Sequence, residues 1–518
     1  SPAATVGSID GIDGAVAVFG GAGSDTINVD DSADSVDRAG TLTATTLRGL
    51  GLPGGVDYTG AEDFNLWLGA GADVLFVNST HTGTTQIYGG DGNATTNERD
   101  DTIAINTIAG ATTVHAQAGN DFVEVGVNAP VLPQNGAFDS LDPISGFFSR
   151  THVNGLGALL NLHGEGDSDQ YTLNLAGQGT ALINVHDNGA PNDGVDTLFV
   201  NGADTVAGVQ NQPNDTFLLR KDVVALLSKS STRATAFDRV ERVNYDENIN
   251  ARLVVSGLGG DDKIVADDNS TITTLDGGDG IDTFQIGQVF GTPRDAAAGL
   301  TPNETFETTP IIVGVIEDRF GTVIFDPSNF SPVTDTLDAA TVRQINAAIA
   351  AARPGATPGV AYVSQGVTHA TTIFGGEGGD IFNIYHNKGT LRLEGEGGND
   401  EFVVRAFVTI DLSEQGLTEV KAGAGNDVVN YAINAPVSLD GGTGFDKVVV
   451  LGTPFNDSFV VTSEGIFGAG LNVKFDNIES AELDTLEGND TISVLGTRAG
   501  LVTTVIGGLG DDRIDLLG

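Results

Sequence analysis

The chain has 518 residues, of which 70 are acidic and 24 basic, giving a formal net charge of −46, and 40% of its residues are hydrophobic. That hydrophobic content can build a sizeable core, so the charge does not indicate disorder, but it disfavours binding to nucleic acid or anionic lipid and favours cations as partners. The chain has no cysteine, which excludes disulfides and thiolate metal sites, and no run of 18 apolar residues that could form a transmembrane segment. The lack of methionine predicts a processed chain or a piece of a longer one, and with the charge it favours an extracellular location.

A glycine and aspartate pattern recurs along the chain. It is seen first in GGAGSDTIN from Gly20, and again in GGDGIDTFQ from Gly277 and GGTGFDKVV from Gly441, with glycine fourth, aspartate sixth and an apolar residue eighth. Further regular copies begin at Leu68, Ala116, Gly375, Ala422, Thr485 and Gly507, and copies with an extra or inserted stretch begin at Gly89, His163, Ser256 and Glu394.

The spacing of the copies predicts the fold class. Copies start 21 residues apart at Ser256 and Gly277, and 19 apart at Ala422 and Gly441. A period near 20 is typical of solenoids, in which each coil buries its apolar side only against its neighbours. Alternation after the aspartate, as in TFQI from Thr283, predicts one strand, and an apolar stretch before each glycine turn predicts another. The predicted class is all-β, a parallel β-helix or β-roll solenoid of about 20 residues per coil.

Two segments break the period and are predicted to be excursions from the solenoid. The second contains DTLDAATVRQINAAIAAARPG from Asp335, with a capping candidate at its start, apolar residues at helical spacing and a terminal Pro-Gly, which predicts a short α-helix near 335–353. The predicted organisation is β-solenoid over 1–126, an excursion loop over 127–160, solenoid over 161–286, an excursion over 287–372 and solenoid over 373–518.

A longer module occurs three times, as VDYTGAE, VNYDENI and VKFDNIE, and its aromatic residue lies 15 or 16 residues before the aspartate of a following glycine turn. This spacing indicates internal duplication. We expect the aromatic residues Tyr58, Tyr245 and Phe475 to lie in the core. Trp67 alternates with leucines, so we expect it to be buried, with an exposed sugar-stacking platform as the alternative.

The repeat resembles the calcium-binding nonapeptide GGxGxDxUx of the RTX (repeat-in-toxin) family, and the resemblance touches most of the chain. In that family the glycine turns offer backbone carbonyls, the sixth-position aspartate offers a carboxylate to Ca²⁺ between neighbouring turns, and the eighth residue enters the core. The resemblance implies Ca²⁺ as the cofactor at multiple sites. The implied ligands are Asp25, Asp73, Asp101, Asp121, Asp169, Asp262, Asp282, Asp380, Asp400, Asp427, Asp446, Asp490 and Asp512.

The chemistry of the residues agrees with a calcium site, because Ca²⁺ takes about six to eight hard oxygen ligands and glycine lets carbonyls turn toward an ion. The alternative is that these turns are tight corners whose aspartates cap backbone amides. One feature departs from the family. Tandem RTX nonapeptides place a glycine turn at both edges of a coil, whereas here the pattern predicts it at one edge only, which leaves the number of ions per coil open.

No lipase, zinc-protease, P-loop or cysteine-nucleophile motif occurs, and the seven histidines show no metal-ligand spacing. We therefore expect a protein without enzymatic activity. The predicted function is an extracellular or cell-surface calcium-binding structural protein, in a surface layer, a filament or an adhesin stalk. The alternatives are the secretion-handle region of a larger RTX protein, and a β-helix polysaccharide lyase or epimerase, which the scarcity of basic residues disfavours.

The expected partners follow from the same pattern. The sequence begins and stops within the repeat and shows no cap at either end, which predicts head-to-tail self-association or lattice neighbours. A cell-surface glycan is a further candidate partner, whereas nucleic acid is not.

Overall fold

The computed structural model describes residues 7–91, 99–128, 149–150, 155–177, 179–190, 193–203, 213–229, 237, 239–287, 316–317, 323–325, 366–385, 387–404, 418–432, 436–469 and 471–518. The chain divides into two compact units. Unit 1 comprises Ser1–Gln210, Asp222–Val254 and Ser331–Asp338, and unit 2 comprises Asn211–Lys221, Val255–Phe330 and Ala339–Gly518.

Short strands follow one another along the whole described chain. They are β1 (Val16–Phe19), β2 (Thr26–Asp30), β3 (Ala39–Leu42), β4 (Thr46–Gly49), β5 (Leu52–Thr59), β6 (Asp63–Trp67), β7 (Val74–Val77), β8 (Thr84–Asp91), β9 (Arg99–Ile105), β10 (Thr112–Ala118), β11 (Asn120–Val125), β12 (Val127–Asn128), β13 (Ser149–Arg150), β14 (Leu159–Gly166), β15 (Gln170–Asn174), β16 (Leu182–His186), β17 (Thr197–Asn201), β18 (Thr216–Arg220), β19 (Val223–Ser228), β20 (Arg239–Tyr245), β21 (Arg252–Ser256), β22 (Lys263–Ala266), β23 (Thr273–Asp279), β24 (Thr283–Ile286), β25 (Ile316–Glu317), β26 (Val323–Phe325), β27 (Thr371–Glu377), β28 (Ile381–Ile384), β29 (Leu391–Gly397), β30 (Glu401–Val404), β31 (Thr418–Lys421), β32 (Ala424–Gly425), β33 (Val428–Ala432), β34 (Pro436–Asp440), β35 (Thr443–Gly444), β36 (Lys447–Leu451), β37 (Ser458–Thr462), β38 (Gly465–Gly468), β39 (Leu471–Asp476), β40 (Ser480–Asp484), β41 (Thr491–Val494), β42 (Val502–Ile506) and β43 (Arg513–Leu516).

Each unit contains two sheets, here called A and B, in which strands of successive coils pair in parallel. In unit 1, sheet A includes β7, β9, β11, β15 and β17, and sheet B includes β6, β8, β10, β14 and β16. In unit 2, sheet A includes β23, β27, β29, β31 and β34, and sheet B includes β22, β24, β28, β30, β33 and β36. The predicted all-β, solenoid-like class is therefore confirmed for the described residues.

The eighth residue of the repeat lies in the core, as predicted. β24 and β28 show alternating burial, and Phe284, Phe382 and Phe402 are completely buried. Their rings stack from coil to coil with centroids 5.0 and 4.4 Å apart. Burying a side chain of this size contributes about 1.5–3 kcal/mol relative to leaving it exposed, so each coil is stabilised mainly through its neighbours.

The recurring longer module contains antiparallel strands that the sequence pattern did not predict. In unit 1, β3, β4 and β5 form a meander within sheet A, and β19 pairs antiparallel with β20 in sheet B. In unit 2, β37, β38 and β39 form the same meander within sheet A. Tyr58, Tyr245 and Phe475 are 2%, 2% and 3% exposed, so their predicted core position is confirmed.

Glycine turns lie at both edges within a unit, in place of the single edge that the sequence predicts. In unit 2, the turns beginning at Gly277, Gly375 and Gly441 lead from sheet A to sheet B. The turns beginning at Gly452, Thr485 and Gly507 lead from sheet B to sheet A. The change of edge falls between the turns beginning at Gly441 and Gly452, on either side of β36, and the meander of β37 to β39 follows it.

The predicted excursions are described only in part. Residues 127–128 and 149–150 form the antiparallel pair β12 and β13, and β25 pairs antiparallel with β26. The predicted helix near 335–353 lies outside the described residues. Among the residues that are described, no helix is long and apolar enough to cross a membrane.

The chain returns from the second excursion at a junction built on Asn269. This side chain is completely buried, and its Oδ1 accepts hydrogen bonds from the backbone N–H of Thr368 (2.8 Å) and His369 (2.9 Å). Its Nδ2 lies 3.1 Å from Thr371 Oγ1, at the start of β27. These hydrogen bonds thus join the chain that returns from the excursion to a residue that precedes it.

Candidate metal centre

The structure gathers most of the sequence-predicted aspartates into buried rows with one member per coil. Unit 1 has a row of Asp73, Asp101, Asp121 and Asp169, each 1–3% exposed. Unit 2 has a row of Asp262, Asp282, Asp380, Asp400, Asp427 and Asp446, each 0–2% exposed, and a second row that contains the buried Asp490 and the half-buried Asp512. Asp25 lies outside these rows, and its backbone N–H donates to Glu62 Oε2 (2.8 Å).

One carboxylate oxygen of each row member caps the backbone of the coil before it. The backbone N–H of Asp262 donates to Asp282 Oδ1 (2.7 Å), that of Asp282 to Asp380 Oδ1 (2.8 Å), and that of Asp380 to Asp400 Oδ1 (2.8 Å). The same bond links Asp73 to Asp101, Asp101 to Asp121, Asp121 to Asp169, Asp400 to Asp427, Asp427 to Asp446 and Asp490 to Asp512. For Oδ1, the alternative in which the aspartates cap backbone amides is therefore correct.

The residue before each aspartate forms a second series of bonds that runs in the opposite direction. Asn399 Oδ1 accepts from the N–H of Asn426 (2.7 Å), and Asn426 Oδ1 accepts from that of Phe445 (2.9 Å), in the coil after it. Asn489 repeats the arrangement with Asp511 (2.8 Å). The Asn-Asp pair so frequent in the sequence thus ties each turn to both of its neighbours.

The other carboxylate oxygen, Oδ2, has a different environment. It is buried without a hydrogen-bond donor, within the part of the chain that the structure describes, in Asp25, Asp169, Asp196, Asp262, Asp282, Asp380, Asp400, Asp427, Asp446 and Asp490. A buried acceptor that lacks a donor costs about 1–3 kcal/mol, and more if it is charged. A row of such atoms therefore needs a physical explanation.

The first glycine of the turn makes the space in which Oδ2 lies. A Cβ on Gly277 would overlap Asp282 Oδ2, and one on Gly375 would overlap Asp380 Oδ2. The same hypothetical Cβ positions lie 2.7 Å from the carbonyl oxygen of Gly375 and 2.8 Å from that of Gly395, each in the following coil. A carboxylate oxygen and a main-chain carbonyl oxygen therefore face one small glycine-lined space between coils.

The second residue of the turn has its N–H turned away from this space. It is counted from the residue that faces Oδ2, which is Gly164, Gly257 or Gly395 in the copies with an extra residue. Its φ is positive at glycines such as Gly278 (98°) and also at the non-glycine residues Gln117, Glu165, Leu258, Glu396 and Leu486. In that conformation the N–H of Leu486 donates to Asp484 Oδ1 (3.0 Å), outside the turn. A left-handed conformation costs a non-glycine residue on the order of 1–3 kcal/mol, so the turn is held there by its surroundings.

Two turns show the opposite arrangement. Gly69 and Thr453 occupy the second position without a positive φ, and their N–H groups donate to Asp73 Oδ2 (3.0 Å) and Asp457 Oδ2 (2.7 Å). Among the turns of Asp73, Asp282, Asp380 and Asp457, the conformation of this residue therefore decides whether Oδ2 has a backbone donor.

Burial shifts the acidity of the rows. It raises the pKa of Asp262, Asp282 and Asp400 to about 7 and that of Asp380 to about 6. Burial, followed by repulsion from Asp121, raises the pKa of Asp169 to about 9. In each case desolvation disfavours the charged form and outweighs the backbone hydrogen bond that the carboxylate accepts, and a cation or a proton would offset the remainder.

The donor set fits a hard cation. Carboxylate and carbonyl oxygens are the ligands that Ca²⁺ prefers. The Oδ2 atoms without a donor provide the first, and the main-chain carbonyls beside the glycine-lined spaces provide the second. No group of three or more histidine or acidic side chains among the described residues could hold a metal ion unaided. An ion here would take one or two carboxylates and complete its shell with main-chain oxygens.

Several members of the rows were absent from the predicted ligand set. Asp169 N–H donates to Asp196 Oδ1 (2.9 Å), and Asp215 N–H donates to Asp262 Oδ1 (2.7 Å). Glu479 closes the longest row, because its Oε2 accepts from Asp446 N–H (2.8 Å). Asp196 and Asp215 both stand two residues before an apolar residue in a degenerate turn, and that spacing is a signal that could have identified them.

A row of aromatic rings outside the turns was also missed, because the histidines were considered singly. Trp67, Tyr88, His115, His163 and His186 stack in unit 1 with successive centroids 5.1, 4.8, 5.1 and 5.7 Å apart. Trp67 is 7% exposed, so it is not an exposed platform. Each ring immediately precedes a glycine turn or its degenerate equivalent, which is the signal in the sequence.

Comparison with known proteins adds no relative. No family model matches the chain, and no curated protein matches it significantly.

Proposed function

We propose that the protein is an extracellular or cell-surface structural protein whose glycine-aspartate turns bind Ca²⁺ between coils, as the resemblance to RTX repeats implies. The observation that carries the proposal is the row of buried Oδ2 atoms without a donor, in turns whose second residue keeps a positive φ. A turn of this kind forgoes a hydrogen bond that the turns of Asp73 and Asp457 make.

The physical argument compares two partners for Oδ2. A backbone N–H would satisfy a carboxylate at no cost in strain, and Gly69 provides one for Asp73. Where the N–H is turned away, the carboxylate is stabilised only if something else neutralises it. A divalent cation does so in every coil of the row, and it also offsets the repulsion within a chain of net charge −46.

The two series of capping bonds have a separate role. They join coil to coil through Oδ1 and through the preceding asparagine, and neither uses Oδ2. Capping and ion binding are therefore compatible in one aspartate. Calcium would stabilise coils that already share hydrogen bonds, and the resulting stiff solenoid suits a surface layer, a filament or an adhesin stalk, with other copies of the chain as neighbours.

The test is calcium dependence of stability in the full chain. We expect thermal unfolding, followed by circular dichroism, to shift upward by many degrees from chelator to millimolar Ca²⁺, and equilibrium dialysis to show several bound ions per chain. Mg²⁺ is the control, because it demands a tighter octahedral shell and should stabilise much less. An identical melting curve in chelator and in Ca²⁺ would refute the proposal and leave the aspartates as caps.

A further inference from the structure

A turn in unit 1 carries a carboxylate where the turn of the preceding coil carries a glycine. β14 and β16 pair in register up to His163 opposite His186, which places Asp187 at the position of Gly164. A Cβ on Gly164 would overlap both Asp169 Oδ2 and the Tyr171 hydroxyl. The coil that contains Asp187 nevertheless accommodates a whole carboxylate there, and this side chain is only 4% exposed.

Asp187 Oδ1 accepts a hydrogen bond from the Gly189 N–H (3.2 Å), but three buried oxygens near this turn lack a partner among the described residues. The carboxyl groups of Asp187 and Asp196 lie within hydrogen-bonding distance of each other, and Asp196 Oδ2 is buried without a donor. In the coil before, Asp169 Oδ2 also has no donor, and the Tyr171 hydroxyl beside it is completely buried without a partner. Four buried oxygen-bearing side chains thus lie at the turns of two adjacent coils.

The charges around them are all of one sign. The charged groups that act most strongly on Asp169, Asp187 and Asp196 are other aspartates, including Asp193. A proton shared by Asp187 and Asp196 would satisfy that pair but would leave the Tyr171 hydroxyl and Asp169 Oδ2 unpartnered. A hard cation can attract all of these oxygens at once.

We propose that Asp187 and Asp196 bind a divalent cation of the Ca²⁺ class, with Asp169 adding negative charge from the preceding coil and the Tyr171 hydroxyl facing the same space. This site differs from the regular turns, which place one carboxylate per coil against a glycine. Two carboxylates from one coil should make it the tightest site of the chain. The inference rests on the proposed function for the identity of the ion, but it can fail separately.

The experiment titrates the full chain with Ca²⁺ in equilibrium dialysis and with Tb³⁺ as a luminescent substitute excited through tyrosine. Asp187→Asn keeps the size of the side chain and removes its charge. We expect it to weaken the first binding step about tenfold or more and to leave the later steps unchanged. Asp193→Asn is the matched control for charge alone, because Asp193 is exposed in the same turn and acts on the site only through its charge, so it should weaken the first step much less than Asp187→Asn does. Tyr171→Phe should dim the first Tb³⁺ signal while the number of bound Ca²⁺ ions stays the same.

The outcomes separate this inference from the proposed function. If the wild-type chain binds several ions and Asp187→Asn titrates identically, the inference is wrong and the proposed function stands. If the wild-type chain binds a single ion that Asp187→Asn abolishes, the inference stands and calcium binding by the regular turns is wrong. Should Asp187→Asn fail to fold, Asp187→Gly restores the residue of the neighbouring coil and answers the same question.

Discussion

Asp73 of unit 1 and Asp282 of unit 2 occupy the same position of the repeat and are 1% and 0% exposed, yet their carboxylates have different partners. Both oxygens of Asp73 accept backbone N–H groups, from Arg38 (2.7 Å) and Gly69 (3.0 Å). In Asp282 only Oδ1 does so, because Gly278 has a φ of 98°. The aspartate alone therefore does not determine whether Oδ2 has a backbone donor, since the conformation of the second turn residue differs between the two turns.

The largest expected effect concerns pH in the absence of divalent ions. Because burial raises the pKa of Asp262, Asp282 and Asp400 from about 3.8 to about 7, the folded state holds protons more tightly than the unfolded state. Stability is then greatest below about pH 4 and falls as pH rises to about 7, and each of these carboxyl groups removes on the order of 1.4 kcal/mol for every pH unit in that range. Urea unfolding in chelator across this range measures it, and Asp282→Asn should flatten the dependence. Stability that increases with pH would contradict the buried, donor-free state of Oδ2.

The next effect tests the close approach of coils in the donor-free turns. Gly398 has a φ of 143°, and a Cβ there would overlap the carbonyl oxygen of Gly378 in the coil before. Gly398→Ala should therefore lower the free energy of unfolding by about 3 kcal/mol. Gly379→Ala is the control, since its nearest atom, Asn399 O, lies 3.2 Å away and its φ is not positive. Equal losses in urea unfolding would show that the turn is not tightly packed.

The difference between the turns of Asp73 and Asp282 is tested by one substitution at each aspartate. Asp73→Asn must leave one N–H facing an amide NH₂, so it should cost about 1–3 kcal/mol with or without Ca²⁺. Asp282→Asn keeps the acceptor for Asp262 N–H and loses only the donor-free oxygen. Because it removes a buried carboxylate without a second donor, it should stabilise the protein in chelator near pH 7 and destabilise it only in Ca²⁺, as measured by thermal unfolding in both conditions. A common response of the two variants would remove the distinction between the turns.

The smallest effect concerns the second series of capping bonds. Asn426→Ala removes the acceptor for the N–H of Phe445, an exposed bond, and should cost about 0.5–1.5 kcal/mol. Calcium affinity should not change, because Asn426 lies outside the space that Oδ2 faces. A loss of bound Ca²⁺ in dialysis would mean that the asparagine orders the ion site as well as the backbone.

The sequence pattern of a single repeat was enough to predict the features that are determined within one coil. The buried phenylalanines at the eighth position of the repeat and the rows of aspartates at the sixth follow from alternation and a period near 20. Coils that stack in register place equivalent residues of successive repeats next to one another. Asp187 could not be predicted as special, because its glycine counterpart appears only when β14 and β16 are paired. The change of edge at β36 was hidden for a similar reason, because a glycine turn has the same sequence whether it leads from sheet A to sheet B or back.

The junction at Asn269 has a consequence for how such a protein changes over evolutionary time. β24 and β27 flank the second excursion, and each is held in register by strands of the coils before and after it. The cost of closing a longer segment between two fixed points grows only slowly with its length. The junction therefore tolerates insertions of different length. We expect related proteins to gain, lose or exchange a whole inserted segment at this position while the solenoid itself stays the same.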